Sequence, residues 1–129
     1  MRTILDASAL LAFFLQETGR DVVGSAITGG AAMCVANLAE VASVLARAGV
    51  PAATVRANLA RLPIAWVPVD IDLALDAGLM EHATRPAGLS LGDRLCLALA
   101  AREAAPVLTA DRAWTRIADV LGVTVTLIR

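Results

Sequence analysis

Short apolar runs alternate with longer amphipathic stretches along this chain. The runs at Thr3–Leu5, Ala32–Val35, Ala65–Val67, Val107–Thr109 and Val123–Ile128 are bounded by turn-forming or polar residues, which predicts five strands. Between them the spacing predicts helices over Ala7–Leu15, Arg20–Ile27, Leu38–Ala48 and Pro51–Leu62. Further helices are expected from Asp70 to about Glu81, over Leu91–Ala104 and over Ala113–Leu121. Gly29 and Gly30, Gly49, Pro63, Pro68 and Gly122 punctuate the pattern, and Ala83–Leu89, with Pro86 and Gly88, reads as a loop. Strictly alternating strands and helices predict a parallel sheet covered on both faces, in a single α/β domain spanning residues 1–129. No repeat, linker or low-complexity tract interrupts it.

Where the chain passes from strand to helix it carries acidic residues: Asp6, Glu40, Asp93 and Asp111. Such junctions lie at the carboxyl ends of parallel strands, where open α/β sheets bind ligands. Carboxylates gathered in a partly dry cleft repel one another, and a divalent cation relieves that repulsion. The chemistry expected of such a set is phosphodiester hydrolysis with Mg²⁺ or Mn²⁺. Each residue also has a plainer use. Asp6 and Asp111 suit helix N-caps, Asn37 with Glu40 fits a capping box, and Ser90 with Asp93 repeats that spacing. Asn37 and Ser90 already meet the capping need, so Glu40 and Asp93 are free for another task.

Composition narrows the choice. Hydrophobic residues make up 58% of the chain, above the ~45–50% usual for globular domains, which predicts an apolar surface that a partner covers. The net charge is −1 and aromatics are only 3%. That excludes a basic blanket or a base-stacking platform for nucleic acid. All eleven basic residues are Arg. Cys34 and Cys96 lie in apolar stretches without CxxC spacing and read as buried free thiols in a reducing compartment. His82 is the lone histidine, at a helix end, so no His/Cys zinc site is expected. Asp6 interrupts the first apolar run, and Val22–Ala39 holds too much glycine and polarity to span a bilayer. A cytoplasmic protein is expected, with no membrane partner.

The strings around the acids carry a resemblance. ILDASALLAFF, VANLAEVASVL, LSLGDRLCLALA and VLTADRAW resemble, in order and spacing, the four acidic motifs of the PIN-domain ribonucleases. The closest likeness is to the VapC-type toxins of toxin–antitoxin modules. The resemblance runs from residue 3 to the last strand. It implies a PIN-like three-layer α/β/α sandwich around a five-stranded parallel sheet. It also implies Asp6, Glu40, Asp93 and Asp111 as the metal-binding catalytic acids. Ser8 and Thr109 match hydroxyl positions that help position acidic groups or the metal's water. Arg112 and Arg94, each following an acid, are candidates for phosphate contact, and Trp114 for core packing. The implied activity is Mg²⁺- or Mn²⁺-dependent endoribonuclease cleavage. The implied partners are the RNA, a second copy in a homodimer, and a cognate antitoxin that lays a segment along the toxin and blocks the acids.

Rival classes are weighed by residues. A phosphoaspartyl phosphatase wants Asp-x-Asp where this chain has Asp6-Ala7-Ser8, and a receiver domain needs a Lys that this chain lacks. A structure-specific DNA nuclease and a non-catalytic binding module of the same fold stay open as alternatives.

Overall fold

The computed structural model describes residues 2–129. Five parallel strands form one sheet: β1 (Thr3–Leu5), β2 (Ala31–Cys34), β3 (Ile64–Val67), β4 (Val107–Thr109) and β5 (Val125–Leu127). Their order is β3-β2-β1-β4-β5. The chain steps outward from β1 to β2 and β3, then returns to place β4 on the other side of β1. Ile4 pairs with Ala32 on one side and with Val107 on the other. The β1/β4 boundary is therefore the topological switch point, and its carboxyl end is the expected ligand crevice.

The period-two rule divides the core into two layers. Ile4, Ala32, Cys34 and Val107 face one layer, while Leu5, Ala31, Met33 and Leu108 face the other. The first layer is closed by α5 (Ile71–Leu79) and α7 (Leu91–Glu103), through Leu73, Ala77 and the buried run Leu95–Ala100. The second is closed by α1 (Ala7–Phe14), α2 (Arg20–Gly29), α3 (Val35–Arg47) and α4 (Ala52–Ala60). The result is a three-layer α/β/α sandwich, as expected. Both cysteines are free and buried. No helix among the described residues is long and apolar enough to cross a membrane.

Several boundaries differ from expectation. Helix α3 begins at Val35, three residues early, directly out of β2 and without a side-chain cap. Asn37 is thus inside the helix and buried rather than capping it. Pro51 is the residue before α4 rather than within its first turn. The expected loop at Ala83–Leu89 is coiled, with α6 (Glu81–Thr84) running into a 3-10 turn at Arg85–Ala87. The last predicted helix is split into a 3-10 segment, Arg112–Arg116, and α8 (Ala118–Leu121). Full burial of Trp114 pins that first segment to the core. Asp70 caps α5 by accepting from the Leu73 amide at 2.8 Å, as its sequence position predicts.

Candidate metal centre

Asp6 leaves the end of β1 and caps α1, its Oδ1 accepting from the Ala9 amide at 2.8 Å. Two hydroxyls also hold it. Ser8 Oγ donates to Oδ1 at 2.7 Å, and Thr109 Oγ1 donates to Oδ2 at 2.6 Å. Thr109, the last residue of β4, in turn accepts from the Asp111 amide at 3.0 Å, and Ser8 Oγ accepts from the Ala110 amide at 2.9 Å. One bonded web therefore spans the switch point and ties the Asp111 loop to Asp6. Ser8 and Thr109 both donate to the Asp6 carboxylate.

Asp6 is only 4% exposed. Burial pushes its carboxyl up from 3.8 to about 6. The bonds from Thr109, Ala9 and Ser8 pull the other way, and the charge of Asp93 adds to the rise. None of the ion pairs among the described residues involves Asp6, Glu40, Asp93 or Asp111. A buried carboxylate without a cation is costly.

The other acids arrive from two helices. Glu40 is exposed on α3 and is anchored by Asn37, whose Nδ2 donates to Glu40 Oε1 at 2.9 Å and to the Gly92 carbonyl at 3.0 Å. That amide fastens α3 to the start of α7. A Cβ on Gly92 would run into the Glu40 carboxylate, so glycine leaves room for that side chain in its present position. Asp93 completes a capping box with Ser90: the Ser90 amide donates to Asp93 Oδ2 at 3.0 Å, and the Asp93 amide to Ser90 Oγ at 3.1 Å. Asp93 thus does cap its helix, contrary to the expectation that Ser90 leaves it free. Glu40 takes no part in capping, because its supposed partner Asn37 lies within α3. Asp111 caps the 3-10 segment through the Ala113 amide at 2.9 Å and is exposed.

The buried Cys96 thiol lies beneath the crevice. It donates to the Leu5 carbonyl at the base of the crevice, at 3.8 Å. Its pKa is pushed well up, first by burial and then by the charges of Asp6, Cys34, Asp93 and Glu40. Three candidate acids therefore lie within electrostatic reach of one point, whereas Asp111 is tied to the crevice through its backbone amide and turns its carboxylate to the Ala113 amide. Among the described residues, no three His, Cys, Asp or Glu side chains form a ready cage for an ion. The donor set that borders the crevice is all carboxylate and hydroxyl oxygen, which suits a hard divalent cation and not a soft one.

Arg94 turns away from Asp93 and donates to the Ala77 carbonyl at 3.3 Å, at the carboxyl end of α5. Arg112 donates to the Arg129 carbonyl at 3.0 Å. Both are engaged in fastening elements together. Asn37 and Gly92 are positioning residues that sequence reasoning passed over. Their signals are visible afterwards: an amide in an apolar run, and a glycine in the first turn of a strong helix. Replacing Asn37 by Ala leaves the Gly92 carbonyl without this partner and frees Glu40. The expected cost is about 1–3 kcal/mol of stability together with reduced activity at the site, checked by thermal melts alongside cleavage assays. Unchanged activity in the folded variant would show that Glu40 needs no anchor.

The PIN domain family model matches residues 3–120 of this chain. Among solved structures, the chain is similar to DNA-bound VapBC from Salmonella typhimurium, with a TM-score of 0.77 at 13% identity, covering 100% of this chain and 99% of that one. It is similar to a toxin–antitoxin complex from Klebsiella pneumoniae, with a TM-score of 0.71 at 17% identity and 98% of each chain covered. VapBC2 from Rickettsia felis, bound to a fragment of promoter DNA, gives 0.70 at 12% identity, again with 98% of each chain covered. At such identities the likeness speaks for the fold. No curated protein matches the sequence. The motif order, the five-stranded parallel sandwich and a family match over almost the whole chain agree, and the chain belongs to the PIN domain family.

Proposed function

We propose that this chain is a single-domain, metal-dependent endoribonuclease, the toxin of a VapBC-type toxin–antitoxin module, working in the cytoplasm. The observation that carries the reading is Asp6. It is a buried carboxylate with no cationic partner, held by two hydroxyls at the switch point, and Asp93 is near enough to raise its pKa. Asp6, Glu40, Asp93 and Asp111 are the residues that would hold Mg²⁺ or Mn²⁺. A bound divalent cation supplies a water acidified toward neutral pH and a counter-charge for phosphate.

The chain's own residues do the rest. Ser8 and Thr109 fix both Asp6 oxygens; Oδ1 is filled by the Ala9 amide and Ser8, so Oδ2 is the oxygen with capacity left for a ligand. Asn37 holds Glu40, and the Ser90 amide holds Asp93, so two helices are committed to one geometry before substrate arrives. The wall formed by Leu5 and Cys96 keeps the base dry, which strengthens every charge interaction above it. RNA is the proposed substrate because the motif set resembles the ribonuclease branch of the family.

The motif resemblance adds a homodimer of this chain, and relatives described as VapBC and toxin–antitoxin complexes support a cognate antitoxin as its partner. A concave apolar groove of about 720 Å³ between α3 and α4 is the seat we assign to it, lined by Leu38, Ala42, Val55, Leu59 and Trp66 with Arg56 among them. Its chemistry fits an apolar segment carrying an acidic side chain for Arg56.

The deciding experiment incubates the purified chain with total RNA and Mg²⁺, with an EDTA control and with Asp93→Asn, and maps new 5′ ends. Expected are cleavage that EDTA abolishes and an Asp93→Asn protein that is folded but inactive, since the amide oxygen still accepts from the Ser90 amide. Cleavage by the pure chain that persists in EDTA would refute the metal reading. An unfolded Asp93→Asn whose folded fraction keeps full activity would reduce Asp93 to a cap.

A further inference from the structure

Asn37 carries an unmet acceptor beside the acids. Its side chain is only 1% exposed. Both protons of its Nδ2 are committed, one to Glu40 Oε1 at 2.9 Å and one to the Gly92 carbonyl at 3.0 Å. These two bonds fix the plane of the amide. They hold its oxygen inside the joint between α3 and α7, where α3 leaves the carboxyl end of β2 and α7 begins. That oxygen, Oδ1, is sealed from solvent and accepts no hydrogen bond from any described residue. A buried carbonyl oxygen left without a donor is unfavourable, and native structures keep few of them. Turning the amide over gives no relief, because Oδ1 would then face the Glu40 carboxylate and the Gly92 carbonyl, both acceptors.

We propose that Asn37 Oδ1 accepts a hydrogen bond from a water in the shell of the bound divalent cation, so that Asn37 positions that water and, through it, the metal. This role presupposes the metal reading of the acids and adds to it a residue that is not acidic. Two features select a cation's water over an ordinary one. The first is a shortage of donors. Ionised Asp6, Glu40 and Asp93 only accept, the Ser8 and Thr109 hydroxyls already donate to Asp6, and none of the ion pairs among the described residues involves these acids. An ordinary buried water makes about three hydrogen bonds. In this joint it would give its protons to Oδ1 and a carboxylate and find nothing to fill its lone pairs. A water on a cation has its lone pair on the metal and both protons to give, which matches a wall of acceptors. The second feature is the kind of cation. Mg²⁺ keeps several of its waters and takes few carboxylates directly, so a centre for it needs neutral acceptors behind the ligands. An amide meets that need while its Nδ2 holds Glu40, whereas a carboxylate at position 37 would repel Glu40.

The test separates the two ends of the amide. Asn37→Ala and Gly92→Ala both release Glu40, but only Asn37→Ala removes Oδ1. Mn²⁺ is titrated into the full chain by calorimetry, with no RNA present, and circular dichroism checks that each variant is folded. Asn37→Ala is expected to bind Mn²⁺ about tenfold more weakly than Gly92→Ala, the lower end of what losing an outer partner of a metal costs. Equal affinities in the two variants overturn the proposal and leave Asn37 as a clamp on Glu40. A wild type that binds no Mn²⁺ overturns the metal reading itself, and this role with it. Wild-type crystals soaked in MnCl₂ supply a measurement that needs no substitution. An ordered water is expected on the ion and within hydrogen-bonding distance of Oδ1. Direct ligation of the ion by Oδ1, or an Oδ1 with no water, overturns the proposal even where Asn37→Ala fails to fold.

Discussion

Asp6→Asn is expected to make the metal-free protein more stable at neutral pH while abolishing its activity. The two effects have one cause. Burial raises the Asp6 carboxyl from 3.8 to about 6 in the fold, so the native state pays to keep it ionised. Between about pH 4 and pH 6 the folded chain still holds a proton that the unfolded chain has lost. The associated stability is complete below about pH 4 and is lost as pH rises through 6. Two pH units amount to about 3 kcal/mol. Asparagine has the same shape and no charge, and its oxygen still accepts from the Ala9 amide. The gain at pH 7.5 should reach roughly 1–3 kcal/mol, or several degrees in melting temperature. The downward slope of wild-type stability between pH 4 and 6 should flatten in the variant. Mg²⁺ should stabilise the wild type, because a ligand that binds only the native state shifts the equilibrium toward it, and should leave Asp6→Asn nearly unmoved. Cleavage should fall at least a thousandfold, since the ligand charge at the centre of the site is gone. Melts across pH with and without Mg²⁺ decide the matter. A variant that is less stable than wild type at pH 7.5 and equally responsive to Mg²⁺ would mean that Asp6 is a cap and nothing more.

Gly92→Ala is the second change for which stability and activity should part company. Gly92 occupies the first turn of α7 with ordinary helical backbone, where alanine is favoured by about 1 kcal/mol. Its new Cβ, however, would collide with the end of the Glu40 side chain. That end is flexible and exposed, so it swings aside at little cost, and its bond from Asn37 is lost. The fold should keep its stability or gain slightly, while cleavage drops tenfold or more because one acid has left the crevice. Restoring glycine at 92 in an Asn37→Ala background should not rescue activity, since either change releases Glu40. If Gly92→Ala melts as expected and cleaves RNA at the wild-type rate, Glu40 is not required at its present position.

The strand–helix alternation, the five apolar runs, the caps at Asp6, Asp70 and Ser90 and the placing of Asp6 and Asp111 just after strands were readable without coordinates, whereas Glu40 lies in the second turn of α3 and Asp93 opens a helix that follows a 3-10 turn. The readable features are local properties: strand periodicity, backbone capping and turn chemistry are decided within a few residues. The start of α3 was not readable, because Val35–Ala39 is apolar enough for a strand or a helix. Packing against both layers, through Ala36 on one side and Leu38 on the other, decides in favour of helix. The split of the last helix was hidden for a similar reason. Trp114 has to reach the core, and a continuous helix over Ala113–Leu121 is not what the structure adopts.

The site divides along the same line. Which residues are acidic, and that Asp6 and Asp111 follow strands, belongs to the chain's one-dimensional pattern. The web that joins Ser8, Asp6, Thr109 and Asp111 spans more than a hundred residues of sequence and exists only because β4 returns to lie beside β1. The raised Asp6 carboxyl, the Asn37 clamp between α3 and α7 and the close fit of Glu40 over Gly92 depend on burial and on distances between segments far apart in sequence. Desolvation and long-range packing have no signature in a string of residue types, so tertiary structure alone decided them.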